Sequence, residues 1–293
     1  MKFTSSNIRG LGSKRKQRIL SNRMKQEALD MIFIQETKCS IQKIKEIHNK
    51  SLNIFEFLEV PADNSVGGIL TLWNPQKIGI IDAEASRNYL LVVIQLVGNS
   101  KTYLVTNVYG PQRLDDKLRF LDSLVELRDR HAGVPWIMGG EFNMIKSLSE
   151  KKGGTRTLSK DYIAFQTFID NMKLVDTDMS NGLFTWNNKR RGESQVASKL
   201  DRFIISEDLM LSNKEMIVRI LPFGGSNHWP AQMEVQGIGT PKNKPFRFEN
   251  IWLTCPDFIS NIARWWKEDL HIQGTRMFLL HKRLKYIKLR LKD

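Results

Sequence analysis

The sequence predicts an α/β (α+β) fold: two packed, mixed β-sheets with helices outside, followed by a helical, basic C-terminal tail. Three observations predict it. Short apolar runs bounded by turn residues recur through the first 236 residues, the pattern of buried strands. Two of these runs, 89–97 and 101–109, are joined by Gly98-Asn99-Ser100, a hairpin signal, so the sheets cannot be purely parallel. Segments with apolar residues at helical spacing fall between the runs. Hairpins interleaved with helices pack as helical layers over sheets.

In order, residues 1–8 form a first strand ending at Asn7. A loop through Gly10 and Gly12 leads to a helix over 14–29. Its inner face carries Leu20, Met24 and Ala28, and its outer face Lys14, Arg15, Lys16, Arg18, Arg23 and Lys25. Met31-Ile32-Phe33-Ile34 is a buried strand running into Gln35-Glu36-Thr37-Lys38. A short helix over 41–48 precedes strands at 54–60, 67–73, 77–82, 89–97 and 101–109. A helix over 114–131 places Leu118, Leu121 and Val125 inward. Trp136-Ile137-Met138-Gly139-Gly140-Glu141-Phe142-Asn143 is a buried strand stopping at a glycine pair. Residues two apart on an extended chain share a side, so Glu141 and Asn143 are expected to project together. Gly139 and Gly140 are expected to leave the backbone open to a bulky substrate. A helix over 159–172, capped by Ser159, turns Ala164, Phe165, Phe168, Ile169 and Met172 inward. Further strands are expected at 184–186, 198–205, 215–220 and 229–235.

A Gly-, Pro- and Lys-rich stretch at 237–245 reads as a linker. The expected division is therefore a domain at 1–236, a linker at 237–245 and a basic helical connector at 246–293. From residue 240 onward, 12 Lys/Arg stand against 5 Asp/Glu, which is +7 of the chain's net +14. Such a charge, with a pI of about 9.8, favours a polyanionic partner. The two cysteines, Cys39 and Cys255, form no disulfide framework, and the five histidines form no zinc-type spacing with them. No apolar run reaches membrane-spanning length and no signal peptide opens the chain. A soluble, intracellular protein without a membrane partner or small-molecule cofactor is expected.

Polar residues recur where the strand runs stop: Asn7, Glu36, Tyr109, Glu141 with Asn143, Asp201 and His228. Each alone has a structural reading as a turn former, salt-bridge partner or packed side chain. Together they supply the parts for phosphodiester hydrolysis. A carboxylate such as Glu36 holds a hard divalent cation. A His228–Asp201 pair fixes an imidazole's tautomer and favours its charged form. Glu141 beside Asn143 can orient an attacking water.

Six stretches resemble, in order, the motifs of the endonuclease/exonuclease/phosphatase (DNase I-like) superfamily. They are Asn7-Ile8-Arg9-Gly10-Leu11, Gln35-Glu36-Thr37-Lys38, Asn107-Val108-Tyr109-Gly110-Pro111, Gly139-Gly140-Glu141-Phe142-Asn143, Lys199-Leu200-Asp201-Arg202 and Ser226-Asn227-His228-Trp229-Pro230. The nearest likeness is to the endonuclease domain of plant LINE-type (non-LTR) retrotransposons. Residues 246–253 with Trp265-Trp266 are similar to the segment that joins such a domain to reverse transcriptase.

The resemblance implies a four-layer sandwich with its site at one edge of two sheets. It also implies a monomer acting on DNA, placed in the nucleus, with Mg²⁺ or Mn²⁺ as cofactor. Glu36 would be the metal ligand, with Asn7 beside it. Tyr109 and His228 would contact the scissile phosphate, Asp201 would orient His228, and Glu141 with Asn143 would align water. Arg9, Lys14, Arg15, Lys16 and Lys38 would face nucleic acid. Two positions depart from the family pattern. Glu141 stands where the family has Asp, and Asn227 where it has Asp before the histidine. The first lengthens the carboxylate arm by one methylene and the second removes a negative charge, so impairment at Glu141 and Asn227 is part of the expectation. The reading is a Mg²⁺-dependent, nicking endonuclease of retrotransposon origin. Its alternatives are a catalytically degenerate remnant that binds nucleic acid and, third, a phosphatase acting on a small phosphorylated substrate.

Overall fold

The computed structural model describes residues 1–64, 66–154, 160–212, 215–222, 225–236, 256–268 and 276–291. Ser159, the linker at 237–245 and the aromatic segment at 246–253 lie outside the described residues. The chain divides into two compact units, Met1–Gly237 and Ile238–Asp293.

Along the first unit, β1 (Lys2–Asn7) leads into α1 (Lys14–Glu27) and β2 (Met31–Gln35). Next come α2 (Ile41–Ile47), β3 (Glu56–Val60), β4 (Ile69–Trp73), β5 (Ile78–Ala85), β6 (Tyr89–Leu96) and β7 (Thr102–Tyr109). They are followed by α3 (Leu114–Arg130), β8 (Trp136–Glu141), β9 (Lys151–Lys152), α4 (Lys160–Asn171) and β10 (Leu174–Asp176). The unit closes with β11 (Trp186–Asn187), β12 (Ala197–Ser198), β13 (Asp201–Ser206), the short α5 (Glu207–Leu211), β14 (Met216–Ile220) and β15 (Ala231–Val235). In the second unit, α6 (Phe258–Lys267) and α7 (Arg276–Arg290) pack together, with the Arg283 guanidinium 6.0 Å over the Trp266 ring.

Two six-stranded sheets carry the first unit, ordered β14-β15-β1-β2-β4-β3 and β10-β13-β8-β7-β6-β5. Each is mixed. The pairs β1–β2 and β7–β8 are parallel and the other pairings of these two sheets antiparallel. The inner faces meet in one apolar core, with Phe3, Met31 and Phe33 from one sheet against Val105, Ile137 and Phe203 from the other. The outer face of the second sheet packs on α3 and α4 through Phe120, Leu124, Phe165 and Ile169. That of the first packs on α1 and α2 through Leu20, Met24, Ile44 and Ile47. The result is the four-layer α/β sandwich.

Three local expectations change. α1 stops at Glu27, and Ala28 takes a left-handed conformation (φ 48) as an exposed cap instead of facing inward. The buried stripe of α3 runs through Phe120, Leu121, Leu124 and Leu127, leaving Leu118 and Val125 half-buried on its flanks. The two-residue strands β9, β11 and β12 form a small separate sheet, too short for any periodic signal.

Candidate active site

The parallel pairs bring the C-terminal ends of β1, β2, β7 and β8 to one end of the sandwich. Antiparallel pairing brings the start of β13 there, with Asp201 opposite Glu141. It also brings the residues just before β15. Period-two alternation then decides which side chains point between the sheets. Asn7 shares its face with Phe3, Tyr109 with Val105, Glu141 with Ile137 and Asp201 with Phe203, all lining the inter-sheet core. Glu36 needs more, because alternation gives the inner face to Gln35. A left-handed backbone at Glu36 (φ 51) breaks that alternation, and Arg9, Lys38 and Asn143 show the same conformation at neighbouring strand ends (φ 48, 51 and 54). Non-glycine residues rarely adopt it, and clusters of it mark functional edges.

One chain of polar contacts links these residues. The Asn7 amide nitrogen donates to Oε1 of Glu36 at 2.9 Å and also to Oε2 of Glu141. Oε1 of Glu141 lies 3.7 Å from Nε2 of His228. Nδ1 of His228 donates to Asp201 at 2.9 Å. The Tyr109 hydroxyl feels the charges of both Glu36 and Glu141. Beneath this layer, Gln35 donates to Asn107 at 2.7 Å, and Asn107 donates to Leu70 O and Thr71 Oγ1, both at 3.1 Å. These amides form a buried polar floor between core and site.

Burial and charge tune the groups. Burial alone would lower the His228 pKa, but the Asp201 and Glu141 carboxylates outweigh it and lift it to about 9. His228 is therefore an imidazolium at neutral pH. Burial raises Glu141 to about 7, with His228 and the Asn7 hydrogen bond opposing the rise and Asp201 and Glu36 adding to it. Burial also pushes Glu36 up, but hydrogen bonds from Asn7 and Lys38 and the charges of Lys38 and Arg9 bring it net downward. Tyr109 is raised by burial and by Glu36 and Glu141, so it stays a phenol and a donor.

Glu141, Asp201 and His228 have ligating atoms within 4.8 Å of one another, a spacing that could hold a metal ion. Oxygen donors for a hard cation also stand beside that cluster, at Glu36 and Glu141. Their carboxylate oxygens converge on a single amide, and hard divalent cations take oxygen ligands. Asn7 lies beside Glu36, as expected. Its Oδ1 accepts from the Arg9 backbone N–H at 3.0 Å, so it turns its nitrogen to the carboxylates and bridges them.

Asn143 lies beyond the strand. β8 ends at Glu141, so the alternation expected to carry both residues does not reach Asn143, whose amide nitrogen donates to Gly110 O at 2.7 Å. The glycine pair serves the fold, not a substrate. A Cβ on Gly139 would meet the Phe203 ring at 2.4 Å, and one on Gly140 would meet Val108 O at 2.0 Å. Both glycines are buried.

Around Glu36, Lys38 Nζ lies 3.0 Å and Arg9 Nε 3.8 Å from Oε2. Lys16 Nζ donates to the carbonyls of Ile8 and Arg9 at 2.7 and 2.8 Å. Lys14 and Arg15 are exposed on the first turn of α1. Sequence reasoning missed Arg87, Arg113 and Arg119, which line a cavity of about 900 Å³ that begins at Tyr109. It also missed Arg202. That fully buried arginine contacts Asp176 at 2.7 Å and Glu150 at 3.0 Å, and donates to Met144 O and Lys199 O. An arginine in a motif reads as surface charge, and only its carboxylate partners, far off in sequence, reveal otherwise.

A two-sheet α/β sandwich with carboxylates and an imidazole gathered at one edge is the architecture of the DNase I-like hydrolases. The model of the Endonuclease/Exonuclease/phosphatase family matches residues 4–228, and the chain belongs to that family. It is 23% identical over 209 residues to the Transposon TX1 uncharacterized 149 kDa protein of Xenopus laevis, a match covering 68% of this chain and 16% of that protein. Its fold is similar to the Xenopus laevis APE2 catalytic domain (TM-score 0.65, 18% identity, 80% of this chain and 91% of that one). It is also similar to the endonuclease domain of TRAS1, a telomere-specific non-LTR retrotransposon (TM-score 0.63, 13% identity, 81% and 99%). Among the described residues no helix is long and apolar enough to cross a membrane.

Proposed function

We propose that this chain is a Mg²⁺-dependent endonuclease of retrotransposon type that nicks DNA and leaves a 3′-hydroxyl. The observation that carries the reading is the unbroken line Glu36–Asn7–Glu141–His228–Asp201 at one edge of the two sheets. When bound, a divalent cation would be held by Glu36 and would supply charge to polarise the phosphoryl group. The chain's own residues do the rest. Asp201 holds the His228 ring, so that Nε2 presents an N–H to a phosphate oxygen. Tyr109 donates a second hydrogen bond there. Glu141, lifted toward neutrality, is suited to accept a proton from water. Asn7 fixes the spacing of the two glutamates. Arg9, Lys14, Arg15, Lys16 and Lys38 hold the phosphate backbone.

The non-catalytic alternative, a nucleic-acid binder without turnover, gains from the departures at Glu141 and Asn227. Against it stands the fit of Glu141, whose longer arm is met by Asn7 on one oxygen and faced by His228 on the other. The test is relaxation of supercoiled plasmid. Mg²⁺-dependent nicking that EDTA abolishes supports the endonuclease. DNA binding without nicking leaves the remnant. Phosphate release from an inositol polyphosphate, without nicking, moves the reading to a phosphatase.

A further inference from the structure

Arg9 crosses the mouth of the site. Its backbone is held left-handed (φ 48) by several contacts. Its N–H donates to Asn7, Gly10 N donates to Glu36 O at 2.7 Å, and Lys16 holds its carbonyl. Strain fixed this firmly serves to aim a side chain. The guanidinium reaches the residue before His228, where Nη1 donates to Asn227 Oδ1 at 2.8 Å. Nε faces Glu36 at 3.8 Å, a carboxylate that Lys38 already engages at 3.0 Å. The side chain remains 48% exposed. Among the described residues Nη2 of Arg9 donates no hydrogen bond.

The acceptor that holds Arg9 is thus a neutral amide. A carboxylate in its place would grip harder but would cancel the charge, since guanidinium and carboxylate pair through two parallel bonds. A guanidinium held by a neutral group keeps its charge and its planar fork for a tetrahedral anion. Building on the endonuclease reading, we propose that Arg9 clasps a non-bridging oxygen of the phosphate beside His228, and that Asn227 positions Arg9 without neutralising it. Asn227 is then a working part of the site, and an acidic residue there disarms Arg9.

The experiment measures binding of the full chain to a labelled duplex oligonucleotide in EDTA by fluorescence anisotropy, over a range of KCl. It uses wild type, Arg9→Met, Arg9→Lys, Asn227→Asp and the Arg9→Met/Asn227→Asp double variant, each checked for native circular dichroism. Arg9→Met should weaken binding about tenfold, the scale of one charge-assisted contact, and lower the salt slope by about one. Asn227→Asp should do the same although Arg9 is retained. Arg9→Lys should keep the slope while binding less tightly. The double variant should bind no worse than either single variant, because both act through one guanidinium. Additive effects would mean that the new carboxylate merely repels DNA, and unchanged affinity in Asn227→Asp would make Arg9 only a latch between loops. Either result overturns the proposal and leaves the endonuclease reading standing. A wild-type chain that binds no duplex overturns both.

Discussion

Glu141 faces the protonated ring of His228 across 3.7 Å, with both side chains buried. The two share a proton balance that the unfolded chain lacks, and this gives stability a definite pH dependence. His228 is raised from 6.5 to about 9, so its contribution is complete below 6.5 and lost as pH rises through 9. Glu141 is also raised, from 4.5 to about 7, so its contribution is complete below 4.5 and lost as pH rises through 7. The folded state binds more protons than the unfolded state over this window, and stability must fall with rising pH. Thermal unfolding in EDTA should give a Tm that declines between about pH 6 and pH 9, with a shallower decline in His228→Gln. A Tm that is flat or rising across that range contradicts the assigned charges.

Glu141→Asp tests whether the long arm is an adaptation or a defect. Shortening it by one methylene withdraws the carboxylate from Asn7 and from His228. Misplacement on that scale costs about a hundredfold in rate. Single-turnover nicking should therefore slow by about ten- to a hundredfold, with DNA affinity little changed. Faster nicking by Glu141→Asp would identify position 141 as decayed.

Arg202→Met should destabilise the fold by about 3–5 kcal/mol, the usual result of removing one partner of a buried ion pair. It leaves Asp176 to Lys199 and Lys146, at 3.1 and 3.3 Å, and Glu150 to Lys199, at 3.8 Å, and to the Lys146 backbone N–H. Urea unfolding measures this, and a loss under about 1 kcal/mol would mean that the carboxylates find water instead.

The limits of the sequence are visible at these residues. The strands were legible because their apolar runs are continuous, and their polar ends stood out by contrast. Glu36, Tyr109, Glu141, Asp201 and His228 could thus be picked out before their meeting was visible. Two kinds of feature were not legible. Left-handed conformations at Arg9, Glu36, Lys38 and Asn143 are imposed by tertiary contacts, with no glycine to announce them. Partnerships such as Asn7 with Glu141 and Arg202 with Glu150 span 134 and 52 residues, and no local pattern encodes them. The glycine pair reads in sequence as an opening onto a substrate. Its missing side chains make room for Phe203 and Val108, not for a ligand.

We propose that residues 1–237 fold without the remainder, since the two sheets and every candidate site residue lie within that unit. A chain ending at Gly237 should unfold cooperatively, with near-UV circular dichroism showing fixed aromatic packing. Insolubility or a broad, non-cooperative transition would place the C-terminal helices in the core.

Hydrolysis of a DNA phosphodiester bond at the edge of the two sheets should depend on His228. The direct measurement is single-turnover nicking of supercoiled plasmid by wild type and His228→Ala, each with Mg²⁺ and with EDTA, with the product ends analysed. Wild type with Mg²⁺ should nick and leave 3′-hydroxyl ends. EDTA should stop it, and His228→Ala should be slower by about a thousandfold or more, as when a preorganised electrostatic group is lost, while still unfolding cooperatively, at a lower Tm because Asp201 and Glu141 lose their buried partner. Wild-type nicking that survives EDTA, or a folded His228→Ala protein that nicks at the wild-type rate, would contradict the account.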